Sequence, residues 1–350
     1  MAIFSLNNVT LRGISAAVPT NCFDMQNYGW VSKKEREQLI KTTGVRYKRI
    51  APNGMATSDL CFDAAQKLLS ELNWQANEIE VLIFISQSRD YLIPATSCIL
   101  QDRLGMPKTT MALDISLGCS AYIYGLSVIS SLIGAGKLKK ALLMMGDTST
   151  FGSYRDKTTF PLFGDAATVT ALEYDENAKP MHFNLQTDGS GYDAIIVHAG
   201  GARKFPNKKS LEQKQIAKGV WRNELQPHLD GLKVFNFSLR EVIPNMKTLL
   251  SNTQYEINSI DYFILHQANL LINETLRKML KQESDKWPYS IKKYGNTSSA
   301  SIPITIVSEL KERALQPMRL MLTGFGVGLS WGSAIVDTQN LILPDIIEKQ

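Results

Sequence analysis

Apolar residues along this chain fall into short runs, each of which ends at polar residues and is followed by helical spacing. Residues 79–88 (Ile-Glu-Val-Leu-Ile-Phe-Ile-Ser-Gln-Ser) form one such block, and Met111–Ile115 is a second apolar run. The segment Ala121–Ile133 is longer, is apolar nearly all round and stops at Gly134-Ala-Gly136. The short runs predict buried strands, and the long segment predicts a buried helix.

One block occurs twice, which indicates an internal duplication. Residues 79–88 resemble residues 260–269 (Ile-Asp-Tyr-Phe-Ile-Leu-His-Gln-Ala-Asn) at an offset of 181. Residues 140–146 resemble residues 319–324 at an offset of about 178. Because the two offsets are nearly equal and close to half of the chain length, they predict two copies of one α/β unit, each with a buried strand that leads into a helix.

The length and composition agree with a globular chain in two parts. The 350 residues are 44% hydrophobic and 20% charged, ordinary values that exclude a disordered, collagen-like or coiled-coil protein. At roughly 150 residues per domain, the chain has room for about two domains. We place the halves at residues 1–175 and 176–350, and we expect a continuous interface between them because no low-complexity linker separates them.

The net charge of the chain indicates which kind of macromolecule it could bind. There are 38 Lys and Arg residues against 33 Asp and Glu residues, a net charge of +5. So mild an excess does not indicate nucleic-acid binding, but it suits an acidic partner. A basic cluster within residues 204–218 is interpreted as a solvated surface.

The cysteines and the first residues favour a cytoplasmic protein. Four cysteines stand far apart without a C-x-x-C pair, which argues against a metal site or a disulfide framework and favours a reducing compartment. Apolar runs such as Val81–Ile85 are far shorter than the ~20 residues that span a bilayer. The first eleven residues have no basic segment before an apolar stretch, so we expect neither a signal peptide nor a membrane span.

Cys119 is the candidate nucleophile, because it stands between a predicted buried strand and a predicted buried helix. Its neighbours Gly118 and Ser120 are small, as a tight strand-to-helix turn requires. A thiol at a helix N-terminus meets the positive end of the helix dipole, so we expect a lowered pKa for Cys119. The alternative is that Cys119 is a small buried hydrophobe. This context is absent from the other cysteines, Cys22, Cys61 and Cys98.

His266 and Asn296 are the polar candidates in the second half. His266 directly follows an apolar strand, where an α/β sheet presents its ligand-binding loops. Asn296 follows Cys119 by 177 residues, nearly the repeat offset, so it is expected at the equivalent turn of the second half. A structural histidine and a simple helix N-cap remain the alternatives for these two residues. The other histidines, His182, His198 and His228, lie in polar loops and are given no role.

The glycine-rich stretches do not indicate a nucleotide site. Residues 163–167 and 324–332 have neither the phosphate-binding spacing that ends in Lys-Ser/Thr nor a GxGxxG that opens a helix. Their glycines suit a close approach of the backbone, including N–H groups directed toward a reacting carbonyl.

Taken together, these motifs resemble the thiolase superfamily, and most closely its β-ketoacyl-[acyl carrier protein] synthase III group. The resemblance covers nearly the whole chain. The motifs that carry it are Thr43-Gly-Val-Arg46, Asp114-Ile-Ser-Leu-Gly-Cys119, Phe163-Gly-Asp165, Asp230-Gly-Leu-Lys-Val-Phe235, His266-Gln-Ala-Asn269, Gly295-Asn-Thr-Ser298 and Gly324-Phe-Gly326. It implies a thiolase-like five-layer αβαβα fold made of two duplicated halves, and a homodimer.

The resemblance also implies a reaction and the roles of the site residues. The reaction is the decarboxylative Claisen condensation of an acyl thioester primer with a malonyl thioester, with acyl carrier protein as the expected partner. Cys119 would accept the acyl group, while His266 and Asn296 would hold the enolate. The backbone N–H groups of Cys119 and Val327 would form the oxyanion hole. The residues expected to bind substrate or carrier are Lys157, Asn269 and Lys278. We expect no cofactor other than the coenzyme A or phosphopantetheine thioesters that serve as substrates.

The sequence departs from the family pattern at the rim of the expected site. Gln38 and Thr42 occupy positions where members that use a coenzyme A primer have a Trp and an Arg, and Lys157 replaces another Arg. Leu271 stands where a basic residue is frequent, and Val327 stands where glycine is usual. These departures favour a specialised condensing enzyme, in fatty-acid-like, specialised-metabolite or surface-glycan biosynthesis.

Two other functions remain open from the sequence. One is a thioester hydrolase with a Cys-His-Asn triad, in which Asn296 would orient the imidazole of His266. The other is an acyl-transferring or acyl-binding subunit without condensing activity, which the altered rim would suit.

Overall fold

The computed structural model describes residues 2–148 and 152–350. Its strands are β1 (Ala2–Leu6), β2 (Val9–Pro19), β3 (Cys22–Asp24), β4 (Tyr47–Arg49), β5 (Val81–Ile85), β6 (Met111–Ile115), β7 (Lys140–Asp147), β8 (Ala166–Tyr174), β9 (Met181–Thr187), β10 (Ile195–Ile196), β11 (Lys214–Ala217), β12 (Val220–Arg222), β13 (His228–Leu229), β14 (Tyr262–Leu265), β15 (Met318–Gly326), β16 (Ser330–Thr338) and β17 (Ile347–Lys349). Its α-helices are α1 (Lys33–Thr43), α2 (Thr57–Leu72), α3 (Thr96–Arg103), α4 (Ala121–Ile133), α5 (Gly231–Ser251), α6 (Leu270–Met279), α7 (Ile291–Tyr294) and α8 (Ser301–Glu309).

Two large sheets share the order of five strands, and the first sheet has β6 as a sixth strand at its edge. In the first sheet the order is β17-β2-β8-β7-β5-β6, and in the second it is β1-β9-β16-β15-β14. Strand β5 runs parallel to β7, which runs antiparallel to β8. In the same way β14 runs parallel to β15, which runs antiparallel to β16. The sequence matches between the two halves therefore fall on strands in equivalent positions of the two sheets.

Helices cover both faces of each sheet, so the inner strand β5 is buried on both sides, whereas the edge strand β6 has no fully buried residue. In β5, Val81, Ile83 and Ile85 pack in a central cluster with α4 and α8, which lie between the sheets. Leu82 and Phe84 pack on the opposite face in a cluster with α2 and α3. A third cluster joins α5 and α6 to the outer face of the second sheet. The layers thus read α, β, α, β, α, which confirms the predicted five-layer arrangement.

The terminal strands cross between the sheets. Ala2–Leu6 pairs antiparallel with β9 in the second sheet, and Ile347–Lys349 pairs parallel with β2 in the first. Each end of the chain therefore completes the sheet formed mainly by the other half. The division into residues 1–175 and 176–350 stays a prediction about domains.

The central helices place the two candidate turns opposite each other. Cys119 precedes α4, and Asn296 precedes α8, so both lie ahead of a helix of the central layer. The approach to these turns differs, because β6 leads to Cys119 whereas the short helix Ile291–Tyr294 leads to Asn296. In the part of the chain that the structure describes, no helix is long and apolar enough to cross a bilayer.

Candidate active site

A cavity of about 600 Å³ opens at the carboxyl ends of the inner strands, and all three side chains predicted to act together line it. Cys119 reaches it from the first half, and His266 and Asn296 reach it from the second. Much of the remaining wall is apolar and includes Phe163 and Phe325. An apolar cleft with a few converging polar groups is the usual form of a small-molecule site.

Glycines let the backbone close around Cys119. Gly326 has φ +153°, and a Cβ at that position would lie 2.6 Å from Cys119 Cβ and 2.8 Å from its Sγ. A Cβ at Gly324 would lie 2.9 Å from Cys119's neighbour Ser120, at its Cα. On the other side, a Cβ at Gly118 would meet Gln87 Oε1 at 2.5 Å. The glycines of the stretch 324–332 thus serve a close approach of the backbone to the thiol, as the sequence analysis expected.

The acidity of the thiol differs from our expectation. Burial raises the pKa of Cys119 to about 11, while hydrogen bonds from the backbone N–H groups of Val327 and Cys119 act in the opposite direction. The prediction that the helix dipole lowers this pKa is therefore wrong in direction, because the loss of hydration outweighs the favourable dipoles. The two N–H groups that reach the sulfur are the pair that the resemblance implied for the oxyanion hole.

His266 is a neutral imidazole held in a fixed orientation. It directly follows β14 and is only 1% exposed. Its Nδ1 lies 2.6 Å from the hydroxyl of Ser301, the first residue of α8, and its ring meets Phe325 edge to face. Burial lowers the pKa of His266 to about 3. When the Ser301 hydroxyl donates to Nδ1, the single ring proton sits on Nε2, which makes Nε2 a hydrogen-bond donor.

The carboxamide of Asn296 is oriented by two backbone groups. Its Oδ1 accepts a hydrogen bond from the Ser298 N–H at 2.9 Å, and its Nδ2 donates to the Ala268 carbonyl at 3.3 Å. These partners settle which end of the amide carries the NH₂ group. Nδ2 lies 3.5 Å from His266 Nε2, so in the tautomer protonated at Nε2 two neutral N–H donors lie at one place on the cavity wall.

Asp147 is a cavity residue that the sequence analysis missed. This last residue of β7 lines the cavity and accepts from the Gln87 N–H at 2.7 Å and from the Ser299 hydroxyl at 3.2 Å. Burial raises its pKa, although its hydrogen bonds act against that rise. The carboxylate therefore ties the loop after β5 to the Asn296 loop of the other half. Its signal in the sequence is an acid directly after an apolar run, just as His266 directly follows an apolar run.

The predicted binding residues are more scattered. Asn269 lines the cavity, but its Oδ1 accepts from the Ile272 N–H at 2.8 Å and so caps α6. Lys157 forms an ion pair with Glu35 at 2.9 Å, and Lys278 is exposed near the end of α6. Both lysines lie outside the described lining of the cavity. The structure therefore brings Cys119, His266, Asn296, Val327 and Asn269 to one site, and it does not bring Lys157 and Lys278 there.

The altered rim positions are on the surface. Gln38 is exposed on α1, and the Thr42 hydroxyl donates to the Gln38 carbonyl at 2.9 Å within the same helix. Leu271 is 51% exposed at the start of α6.

Comparison with known proteins gives one consistent result. A family model described as 3-oxoacyl-[acyl-carrier-protein (ACP)] synthase III matches residues 113–189, and the model of the C-terminal part of the same family matches residues 250–338. A β-ketoacyl-[acyl-carrier-protein] synthase III of Clostridioides difficile is 31% identical, over 93% of this chain and 97% of its own.

Solved structures agree in fold and in extent. A 3-oxoacyl-(acyl-carrier protein) synthase of Burkholderia xenovorans superposes with a TM-score of 0.93 at 36% identity, over 99% of both chains. A synthase III of Pseudomonas aeruginosa superposes with a TM-score of 0.82 at 25% identity, over 96% of this chain and 100% of its own. The chain belongs to the 3-oxoacyl-[acyl-carrier-protein] synthase III family.

Proposed function

We propose that this chain joins an acyl thioester primer to a malonyl thioester by decarboxylative Claisen condensation, with Cys119, His266 and Asn296 as its catalytic residues. The chain is an acyltransferase, as its family membership gives. The observation that carries the assignment is that His266 Nε2 and Asn296 Nδ2 lie 3.5 Å apart on the wall of the cavity that also contains Cys119, so that, with the ring proton on Nε2, both donate toward one point.

In the first half-reaction, Cys119 accepts the acyl group. Its sulfur attacks the primer's carbonyl carbon, the backbone N–H groups of Cys119 and Val327 bind the oxyanion, and the primer's thiol departs. A thiol suits this step, because sulfur is both a good nucleophile and a good leaving group. Burial keeps the resting thiol protonated, since the pKa of Cys119 is about 11. The proton therefore leaves sulfur during the attack and ends on the departing thiol.

In the second half-reaction, the malonyl thioester loses CO2 and its thioester carbonyl becomes an enolate. His266 and Asn296 donate hydrogen bonds to the enolate oxygen. Donors that are fixed before charge develops stabilise it without reorganisation, particularly in a site that excludes water. The enolate carbon then attacks the acyl group on Cys119, and collapse of the adduct releases the 3-oxoacyl product and the free thiolate. Because the pKa of His266 is about 3, the imidazole stays neutral throughout.

The thioester hydrolase is not favoured. A Cys-His-Asn hydrolase needs the carboxamide oxygen of asparagine to accept a hydrogen bond from the imidazole N–H. Here that oxygen is held by the Ser298 N–H, and the NH₂ end of Asn296 faces His266. Two donors that face each other at this distance are suited to a shared acceptor from the substrate.

We extend the proposal to the partners and the setting of the enzyme. The malonyl group is carried by acyl carrier protein, and no cofactor is needed beyond the coenzyme A or phosphopantetheine part of each substrate. The changed rim at Gln38 and Thr42 supports a specialised pathway rather than an acetyl-CoA-primed initiator. The exposed apolar run of Tyr91, Leu92 and Ile93, which is 62–85% exposed, supports a homodimer that covers it. A cytoplasmic location is part of the same proposal.

The test separates acylation from decarboxylation. His266→Ala and Asn296→Ala should still accept an acyl group on Cys119, but release of CO2 from malonyl thioester should slow by about 100–1,000-fold, the usual cost of one such donor. His182→Ala, which removes a histidine bonded to Ser5, is the matched control and should leave both steps intact. Intact-protein mass measures the first step and CO2 release measures the second. Unchanged CO2 release in both site variants would refute the condensing role.

A further inference from the structure

The positive charge of this protein is concentrated in one surface segment. Residues 201–222, here called the basic arm, contain seven Lys and Arg residues and one Glu, a net charge of +6. The whole chain carries +5, so all the other residues together carry −1. A protein whose remaining surface is nearly neutral therefore has one strongly positive region.

Most of this charge is free of internal ion pairs. Lys204 pairs with Glu224 at 2.8 Å, and Arg222 pairs with the buried Asp156 at 3.5 Å. Among the described residues, no ion pair engages the other basic side chains of the arm, and all of them are exposed: Arg203, Lys208, Lys209, Lys214 and Lys218. Unpaired exposed charges do not stabilise the fold to a measurable extent, but they attract an oppositely charged partner.

The arm also presents apolar side chains that the fold does not use. Phe205 is 75% exposed, Leu211 is 60% exposed and Ile216 is 55% exposed. Partner surfaces that bind through charge alone have little need for such residues, whereas apolar groups rimmed by charge are typical of protein interfaces. The arm thus has the two elements of a docking surface for an acidic protein.

The arm is anchored, so the surface exists before a partner arrives. Within the arm, β11 pairs with β12 as an antiparallel hairpin. The Trp30 indole donates to the Gly219 carbonyl at 3.0 Å, and the Trp221 N–H donates to the Arg155 carbonyl at 3.0 Å. These contacts attach the hairpin to the segment before α1, which contains Trp30, and to the segment between β7 and β8, which contains Arg155. A preformed surface loses less conformational entropy on binding.

The position of the arm selects the partner. Ala199, Gly200 and Gly201 at one end of the arm line the catalytic cavity, and Pro227 and Leu229 beyond its other end line it as well. A protein seated on the arm would therefore stand beside the mouth of the cavity. That is the place from which a thioester on a flexible prosthetic arm can reach Cys119.

We infer that the basic arm is the docking surface for an acidic protein that carries the thioester substrate on its prosthetic arm. This inference rests on the proposed function for the need of a carried substrate, and it adds where the carrier binds. The unpaired lysines steer the encounter, and the exposed apolar residues supply short-range contact. Electrostatic steering of this kind raises association rates by about 10–1,000-fold and weakens as salt rises.

The experiment compares matched charge reversals. The arm variant is Lys208→Glu, Lys209→Glu and Lys214→Glu, and the control variant is Lys108→Glu, Lys137→Glu and Lys247→Glu. All six side chains are exposed, and no ion pair among the described residues engages them. The readout is kcat/KM with malonyl-acyl carrier protein, with malonyl-coenzyme A and with malonyl-N-acetylcysteamine, at low and high salt.

The arm variant should lose at least about tenfold in kcat/KM with malonyl-acyl carrier protein at low salt, chiefly through KM. High salt should remove most of the difference, and the control variant should behave like the wild type. Activity with malonyl-N-acetylcysteamine should be unchanged in both variants. An equal loss with malonyl-coenzyme A would overturn the inference, because the arm would then bind the nucleotide's phosphates.

A binding measurement tests the docking surface independently of the proposed catalytic function. Titration of holo-acyl carrier protein into the wild type and the arm variant, followed by calorimetry, reports docking without any turnover. Weaker binding only in the arm variant supports the inference even if no condensation is found. Equal binding by both proteins overturns it, as does arm-dependent sedimentation with phosphatidylglycerol vesicles while carrier binding stays unchanged.

Discussion

Replacing Gly326 with alanine should slow acylation of Cys119 without unfolding the protein. Gly326 ends β15 and passes against the nucleophile with φ +153°, a conformation that residues with a Cβ rarely adopt. The new methyl group would lie 2.6 Å from Cys119 Cβ and 2.8 Å from its Sγ. Either the Cys119 turn or the Gly326 turn must therefore move. Val327 directly follows Gly326, so a shift of that turn also displaces the Val327 N–H that reaches the sulfur.

The size of the effect follows from the overlap. Carbon atoms pack best at about 3.5–4.0 Å, so the thiol and the turn must separate by about 1 Å. A 1 Å misplacement of reacting groups typically costs about 100-fold in rate. The backbone strain at Gly326 adds about 1–3 kcal/mol of destabilisation, which a large core can absorb. We therefore expect a folded protein that acylates Cys119 about 100-fold more slowly.

The assay is the time course of mass gain on Cys119 during incubation with an acyl thioester, read by intact-protein mass spectrometry. Gly189→Ala is the matched control, because a Cβ there would meet no atom within 4 Å. It should acylate at the wild-type rate, and thermal melts should show both variants folded. Wild-type acylation by a folded Gly326→Ala protein would refute the argument that this turn positions the nucleophile.

Other predictions address the thiol and the imidazole. Cys119→Ala should abolish the mass gain, whereas Cys61→Ala, which changes a thiol buried within α2, should retain it. Ser301→Ala removes the 2.6 Å partner of His266 Nδ1 and should slow CO2 release by about 5–150-fold, the rate equivalent of the ~1–3 kcal/mol lost when a buried group is left unpaired, with acylation retained. The reactive form of Cys119 is the thiolate and its pKa is about 11, so alkylation by iodoacetamide should rise about tenfold per pH unit from pH 7 to 10, and a plateau below pH 9 would contradict this. The pKa of His266 is about 3, so its protonation should not limit CO2 release between pH 5 and 8, and an inflection near pH 6.5 that vanishes in His266→Ala would show otherwise.

Some elements could be predicted from the sequence, because a run of apolar residues marks a segment that packs in the core. Ala121–Ile133 is observed with its predicted bounds, because its apolar residues pack between the two sheets. Met111–Ile115 is also a strand with the predicted bounds, but the expectation that it is buried is wrong, because β6 lies at the edge of its sheet and Met111 is 43% exposed. The duplication predicted Asn296 at the turn equivalent to that of Cys119, and each residue does precede a helix of the central layer. The two turns are nevertheless reached differently, because β6 has no counterpart in the second sheet. Apolar periodicity and an internal repeat can both be recognised in the sequence alone.

The remainder depends on contacts between distant residues. Lys157 forms an ion pair with Glu35, and these two residues are far apart in the sequence. No local pattern connects them, so the sequence could not predict that Lys157 lies outside the cavity. The tie between Asp147 and Ser299 likewise spans the two halves. The direction in which the pKa of Cys119 shifts depends on how deeply the thiol is buried. A helix-dipole argument from the sequence does not include that burial.

Burial has opposite effects on the two ionisable members of the site, and this constrains the chemistry. It raises the pKa of Cys119 to about 11 and lowers that of His266 to about 3. The proton therefore belongs on sulfur in the resting enzyme, and a thiolate–imidazolium pair of the kind that Cys-His hydrolases use is disfavoured. An imidazole that stays neutral cannot activate water by holding a proton, but it remains a donor at Nε2. The same desolvation that weakens the thiol as a resting nucleophile thus preserves His266 for the enolate, where a neutral donor in a dry site has its greatest effect.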